Sequence, residues 1–267
     1  MNKKTCLITG PTSGLGKSIS IKLANQGYKL ILVSKSKSKL MKLSNQLGKK
    51  NIKYFTVDLS NYNELKNFVK KKLYFDVLIN NAGSFFLKKE KNNVIFNKTF
   101  TLNYLSPYIL IKKLIIDKKL KNKLIINLSS NALLRSKINI SDIKDINLYN
   151  GWEIYKFSKL LNHSMTNYLS KKYRYNNFFS FNPGRMKTNF GSNNNFIVRN
   201  LNKIYLRIFG KNLDSIANKI IKIIKTNKMS TKDKVNVKEI SYINKIDFQK
   251  KLILQTNKLL KFHVRSN

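Results

Sequence analysis

Short apolar runs and longer amphipathic stretches alternate along the first two thirds of the chain. Runs of strand length occur at Thr5–Ile8, Lys29–Val33, Ile52–Val57, Asp76–Ile79, Lys123–Leu128 and Asn177–Phe181. Stretches of helical period separate them, over about Gly14–Gly27, Lys37–Leu47, Tyr62–Lys72, Asn97–Leu120 and Trp152–Arg174. This rhythm predicts βαβ units with right-handed crossovers, and hence a parallel sheet covered by helices. After Pro183-Gly184 the pattern loosens into the polar stretch Thr188–Asn195. Helical period returns over about Ile197–Phe209 and Asp214–Thr226, followed by an expected last strand near Lys234–Val237 and a closing helix over about Phe248–Leu260. The expected fold is α/β, a doubly wound parallel sheet of about seven strands with helices on both faces. In such sheets ligands bind outside the carboxyl ends of the strands. At 267 residues we expect a single domain over 1–267, with the loose segment at about 188–209 closing as a lid.

Composition changes this picture little. Apolar residues make up 42% of the chain, enough for a core despite a formal net charge of +41. The lysines run from Lys3 to Lys261 singly or in short groups, which reads as a solvated basic surface and not as a dedicated nucleic-acid footprint. A lone cysteine, Cys6, excludes an intrachain disulfide, makes a structural zinc site a poor expectation and fits a reducing compartment. No metal site is expected. No apolar stretch reaches membrane-spanning length and the N-terminus lacks a signal-peptide pattern, so a cytoplasmic protein is expected.

The first strand leads into Thr9-Gly10-Pro11-Thr12-Ser13-Gly14-Leu15-Gly16-Lys17 and then a helix. Glycines at a strand-to-helix turn let backbone approach a pyrophosphate, and the helix start offers unpaired N–H groups and a positive dipole end. The glycine spacing differs from the common dinucleotide fingerprint, so taken alone it also reads as an ordinary turn. The second strand ends Leu32-Val33-Ser34-Lys35-Ser36-Lys37, with no acidic residue where a cofactor lacking the 2′-phosphate meets one. A hydroxyl and ammonium groups there favour NADP(H) over NAD(H).

Tyr155 and Lys159 stand four apart in a helical segment, which puts them on one face. A tyrosine with a pKa of about 10 is a weak base at neutral pH, and a neighbouring ammonium is expected to favour its phenolate. Ser130 ends the strand-like run Ile125-Ile126-Asn127-Leu128-Ser129-Ser130, at the sheet edge where it can polarise a carbonyl oxygen beside Tyr155. Ser129 reads as a loop cap.

Taken together, Thr9-Gly10-x-x-x-Gly14-x-Gly16, Asn80-Asn81-Ala82-Gly83, Asn103, Ser130, Tyr155-x-x-x-Lys159 and Pro183-Gly184 resemble the ordered signature of short-chain dehydrogenases/reductases over roughly residues 5–190. The resemblance implies a Rossmann-type NAD(P)-binding fold. It implies a cofactor site made of Gly10, Thr12, Ser13, Gly14, Leu15 and Gly16 at the turn, and Ser34 and Lys35 after the second strand. Asp58 and Leu59 would lie at the adenine, Asn80, Ala82 and Gly83 beside the adenosine ribose, and Pro183, Gly184 and Thr188 near the nicotinamide. Catalysis would rest on Ser130, Tyr155, Lys159 and Asn103, with Lys159 holding ribose hydroxyls and lowering the Tyr155 pKa, and Asn103 positioning a relay water; Asn103, Tyr155 and Lys159 would also touch the cofactor. The 25-residue interval from Ser130 to Tyr155 and the run Asn103-Tyr104-Leu105-Ser106-Pro107-Tyr108 are similar to the retinol-dehydrogenase-like branch, which often has Asn-His-Leu-Gly-His-Phe there. The departures at Tyr104, Ser106 and Pro107 leave the substrate open.

The expected activity is NADP(H)-dependent interconversion of a carbonyl and an alcohol, reduction of an apolar aldehyde or ketone above all, by a homodimer or homotetramer. The alternative is a non-catalytic dinucleotide sensor or nucleic-acid-binding protein on the same fold, against which the intact Ser130, Tyr155 and Lys159 argue. A nucleotide-sugar epimerase would need more chain after the sheet. His163 is expected to be structural and His263 is assigned nothing. Trp152, Phe190 and Phe196 flank the expected substrate mouth.

Overall fold

The computed structural model describes residues 4–86, 96–184 and 212–265. Six parallel strands form one sheet in the order β3-β2-β1-β4-β5-β6: β1 Thr5–Thr9, β2 Lys29–Ser34, β3 Ile52–Thr56, β4 Val77–Asn80, β5 Leu124–Leu128 and β6 Asn177–Phe181. The strand order reverses between β1 and β4, which opens a crevice at their carboxyl ends. Alternation along the strands divides the core. Leu7, Ile31, Val33, Leu78 and Ile125 point to one face, while Cys6, Ile8, Leu30, Leu32, Val77, Ile79 and Ile126 point to the other. β2, β4 and β5, buried on both sides, read as nearly continuous Leu/Ile/Val runs, whereas the edge strand β3 mixes exposed and half-buried positions.

On the second face lie α1 (Gly14–Asn25) and α2 (Lys37–Gln46), with Leu15, Ile19, Leu23, Leu40 and Leu43 turned to the sheet. The opposite face is covered by α3 (Tyr62–Val69), the single turn α4 (Lys98–Phe100), α5 (Ser106–Ile116) and the long α6 (Gly151–Lys172). Two further helices follow, α7 (Leu213–Thr226) beside α1, and α8 (Ile246–Arg265) against α6 and the 3-10 segment Ile140–Leu148. Four helices start on an asparagine whose carboxamide oxygen accepts first-turn N–H groups: Asn61, Asn97, Asn150 and Asn212. Capping of this kind is worth about 0.5–2 kcal/mol each relative to alanine.

Two expectations are altered, and others fall outside the described residues. The stretch near Lys234–Val237 is not a strand: 3-10 turns at Thr231–Asp233 and Lys238–Asn244 flank it, and its neighbour Asp233 meets the sheet end through Asn182 N–H, which donates to Asp233 O at 2.8 Å. The expected long helix over 97–120 is interrupted by a π-helical turn at Thr101–Leu105 and stops at Ile116. At the interruption the Asn103 side chain donates to Thr99 O at 2.7 Å and Ser84 O at 2.6 Å, while Asn162 Nδ2 donates to Asn103 O at 2.9 Å. The expected helix at about 197–209, the lid at about 188–209 and Thr188, Phe190 and Phe196 lie outside the described residues. Among the described residues no helix is long and apolar enough to cross a membrane.

Candidate active site

At the crevice the strand ends surround a cavity of about 550 Å³. One wall is the turn between β1 and α1 together with the end of β2. Gly10 and Gly14 sit at φ +64° and +51°, where a β-carbon is strained. A Cβ on Gly16 would lie 2.2 Å from Gly10 O and 2.4 Å from Asn81 Nδ2. Ser13, which starts α1, makes no side-chain cap, and the first turn of α1 has no acidic residue. The donors at this helix start are therefore left for a ligand, in contrast to the asparagine-capped helices. Thr12 Oγ1 and Ser34 Oγ are 3.2 Å apart across the wall. Leu15, Gly16, Lys35, Asp58 and Leu59 complete it, and Asp58 is fixed by its hydrogen bonds from Ser60 N–H (2.9 Å) and Ser60 Oγ (2.6 Å).

The facing wall carries Ala82, Gly83, Ser130, Tyr155, Lys159, Pro183 and Gly184. Ser130 Oγ accepts from Ala132 N–H at 3.2 Å and its side chain is hydrogen-bonded to Tyr155. Lys159 Nζ donates to Leu128 O at 2.9 Å and lies 5.7 Å from the centre of the Tyr155 ring. Both side chains are buried, and burial works on them in opposite directions because it penalises whichever form is charged. It pushes the Tyr155 phenol up to about 12, against the hydrogen bond from Ser130, and pulls the Lys159 ammonium down to about 8. Burial sets the direction of the Tyr155 shift, upward where Lys159 was expected to bring it down. An upward shift favours the protonated phenol, the form that donates.

Two residues expected in the site stand behind it. Asn80 is buried, donating through Nδ2 to Asn127 Oδ1 at 2.7 Å, and does not line the cavity. Asn103 is also buried; its Oδ1 has no hydrogen-bond partner among the described residues and would sit 2.9 Å from a Cβ on Gly83. The sequence reading missed others. Asn81, one residue beyond Asn80, donates to Thr9 O (2.9 Å) and Gly10 O (3.0 Å), tying β4 to the glycine turn. Lys39, Ser36, Ser84, Phe86 and Leu102 also line the cavity. Lys39 was legible only as a residue one turn past Lys35, and Asn81 had no signal separating it from Asn80.

His163 is structural. Its Nδ1 is 2.8 Å from Ser180 Oγ and its Nε2 3.0 Å from Asn167 Nδ2, and burial pushes its pKa down to about 4.

The short chain dehydrogenase family model matches residues 4–196, and the chain belongs to that family. It is 29% identical over 187 residues to human dehydrogenase/reductase SDR family member 12, a match covering 67% of this chain and 59% of that protein. It is 27% identical over 212 residues to mouse retinol dehydrogenase 14, covering 72% and 64%. The chain thus spans about three fifths of the length of these relatives, and the second agrees with the resemblance to the retinol-dehydrogenase-like branch. Among solved structures, a short chain dehydrogenase/reductase from Burkholderia phymatum in complex with NAD superimposes with a TM-score of 0.67 at 19% identity, covering 85% of this chain and 87% of that one. A short-chain dehydrogenase from Sphingobium yanoikuyae in complex with NADPH gives 0.65 at 17%, covering 85% and 86%. These two share the fold.

Proposed function

We propose that the chain is an NADP(H)-dependent oxidoreductase that interconverts a carbonyl and an alcohol, working as a reductase of apolar aldehydes or ketones. The observation that carries this reading is the meeting of Ser130, Tyr155 and Lys159 on one wall of a cavity whose other wall is an uncapped helix start behind a glycine turn. The residues present fit a nicotinamide dinucleotide. The glycines leave backbone exposed where any Cβ would intrude, and the unpartnered Asn103 Oδ1 lies behind Gly83.

Gly10, Thr12, Ser13, Gly14, Leu15 and Gly16 would hold the pyrophosphate, Asp58 and Leu59 the adenine, and Ala82 and Gly83 the adjoining ribose, with Asn80 bracing them from behind. Pro183, Gly184 and Thr188 would adjoin the nicotinamide. Ser34, Lys35 and Lys39 supply a hydroxyl and two ammonium groups for a 2′-phosphate, with no carboxylate from β2 to oppose it. The bound cofactor supplies the hydride. The Ser130 hydroxyl polarises the substrate oxygen, and the Tyr155 phenol gives it the proton, an effect of about 10²–10⁴ in rate. An ammonium has three donors, so Lys159, having spent one on Leu128 O, keeps others for ribose hydroxyls. Asn103 holds the π-turn that seats Leu102 and Gly83 at the cavity, the setting for a relay water. All of these groups come from one chain, so a homodimer or homotetramer would add stability and not a missing catalytic group. We place the protein in the cytoplasm, as a single domain with 188–209 as its lid.

The test is NADPH oxidation with a panel of apolar aldehydes and ketones, NADH serving as the comparison. Turnover with NADPH that Tyr155→Phe removes is the expected result; a purified, folded chain that oxidises neither cofactor with any of them overturns the reading.

A further inference from the structure

The mouth of the cavity has an aromatic surface that the chemistry above does not use. Trp152 is the second residue of α6, and its N–H donates to the capping Asn150 Oδ1 at 3.1 Å, so the backbone beneath the ring is fixed. Its ring stacks on Tyr155, with centroids 5.3 Å apart and planes within 16°. Phe85 closes the group at the edge, 5.3 Å from Trp152 at 68° and 6.1 Å from Tyr155 at 53°. Phe86 and Leu102 continue the apolar lining.

Exposure separates Trp152 from its neighbours. Phe85 is 8% exposed, Ile154 0% and Tyr155 5%, whereas Trp152 remains 40% exposed at the cavity. An indole that served packing alone would gain more by turning inward. This one is held rigid by two rings while part of its surface stays open beside the proton donor. Orientation costs that a ligand would otherwise meet on binding are met in the fold.

We propose that Trp152 selects the substrate class, favouring flat conjugated carbonyl compounds, aryl aldehydes and aryl ketones, over saturated ones of the same size. The inference rests on the oxidoreductase reading for its carbonyl and goes beyond it in the group attached. A planar ring set against the part of Trp152 that lines the cavity pairs with the indole while its carbonyl oxygen lies at Tyr155 and Ser130, which line the same cavity. A cyclohexyl ring buries similar area without the quadrupole match. Aromatic pairing adds a preference of roughly 2- to 12-fold over area alone.

Two measurements separate this inference from the reading beneath it. Trp152 is the only tryptophan in the chain, so its emission reports on the site directly. With NADP⁺ present, titration with benzamide, an unreactive aryl carbonyl, is expected to perturb that emission at concentrations roughly 2- to 12-fold lower than cyclohexanecarboxamide. In turnover, the kcat/KM ratio of benzaldehyde to cyclohexanecarbaldehyde is expected to fall by the same factor in Trp152→Leu and to be largely kept in Trp152→Phe; comparing variants cancels the intrinsic reactivities of the two aldehydes. Equal affinity for the two amides, or an unchanged ratio in Trp152→Leu, overturns the inference. Selective binding of benzamide without turnover of any aldehyde overturns the oxidoreductase reading and leaves the aromatic preference of the site standing.

Discussion

Along the β1–α1 turn the cavity is bounded by backbone and small side chains, and what it offers a ligand is room and unpaired N–H groups. Across from it, around the β5 tip and the start of α6, the boundary is made of buried side chains whose proton affinities burial has moved, Tyr155 up and Lys159 down. The first wall leaves no room for a Cβ at Gly16, while the second depends on particular groups. A nucleotide's phosphates are the same whatever the substrate, so shape suffices to hold them; proton transfer needs one group at one place. Substitutions in the two walls should therefore fail differently, the first in binding and the second in turnover.

The largest effect is expected in the chemical wall. Tyr155→Phe keeps the ring that stacks on Trp152 and removes only the donor, so kcat should fall about 10²–10⁴-fold with NADPH affinity held, as steady-state kinetics and a binding titration would show. In the backbone wall, Gly16→Ala forces a methyl to within 2.2 Å of Gly10 O. Overpacking of this kind costs about 1–3 kcal/mol and should appear as weakened NADPH binding together with a lower denaturation midpoint. Gly48→Ala is the control: nothing lies within 4 Å of its Cβ, and only its φ of +76° is strained, so stability alone should drop.

A third expectation concerns α6 beneath the chemical wall. The unfolded chain protonates His163 below a pKa of about 6.5, while the folded chain keeps it neutral until about pH 4. The stability this burial confers is present above pH 6.5 and drains away as pH falls towards 4, by about 2 kcal/mol at pH 5. Urea denaturation at pH 7 and pH 5 should show that loss, and His163→Gln should remove most of the pH dependence. The smallest effect belongs to the 2′-phosphate end, where Lys35→Glu should lower the NADPH-to-NADH ratio of kcat/KM about tenfold, the worth of a charge-assisted hydrogen bond.

The same division governs what the amino-acid sequence disclosed. Local signals were enough for the six strands and the glycine turn, while Ser130, Tyr155 and Lys159 were singled out by the ordered set of motifs and line one cavity here. Features set by distant partners were hidden. Asn80 and Asn81 are chemically identical, and only the packing of β4 on β1 decides which one reaches the turn. The π-turn is bonded to Asn162, fifty-nine residues after Asn103. Tyr104, a departure from the branch pattern, is tied to α8, its OH sharing a hydrogen bond with Thr256 Oγ1 at 2.6 Å, and one turn on Tyr108 OH donates to Asn257 Oδ1 at 2.8 Å. The direction of the Tyr155 shift turns on burial, which residue spacing does not reveal. The expected seventh strand failed because Lys234–Val237 alternates correctly yet lies between two 3-10 turns.

The most direct test follows an atom. Benzaldehyde reduced by the wild-type chain with NADPH carrying deuterium at C4 of the nicotinamide, supplied as each C4 epimer in turn, should with one of them yield benzyl alcohol with one deuterium on the carbinol carbon. Alcohol formed without deuterium from either epimer, or no alcohol from folded protein that binds NADPH, would contradict the account.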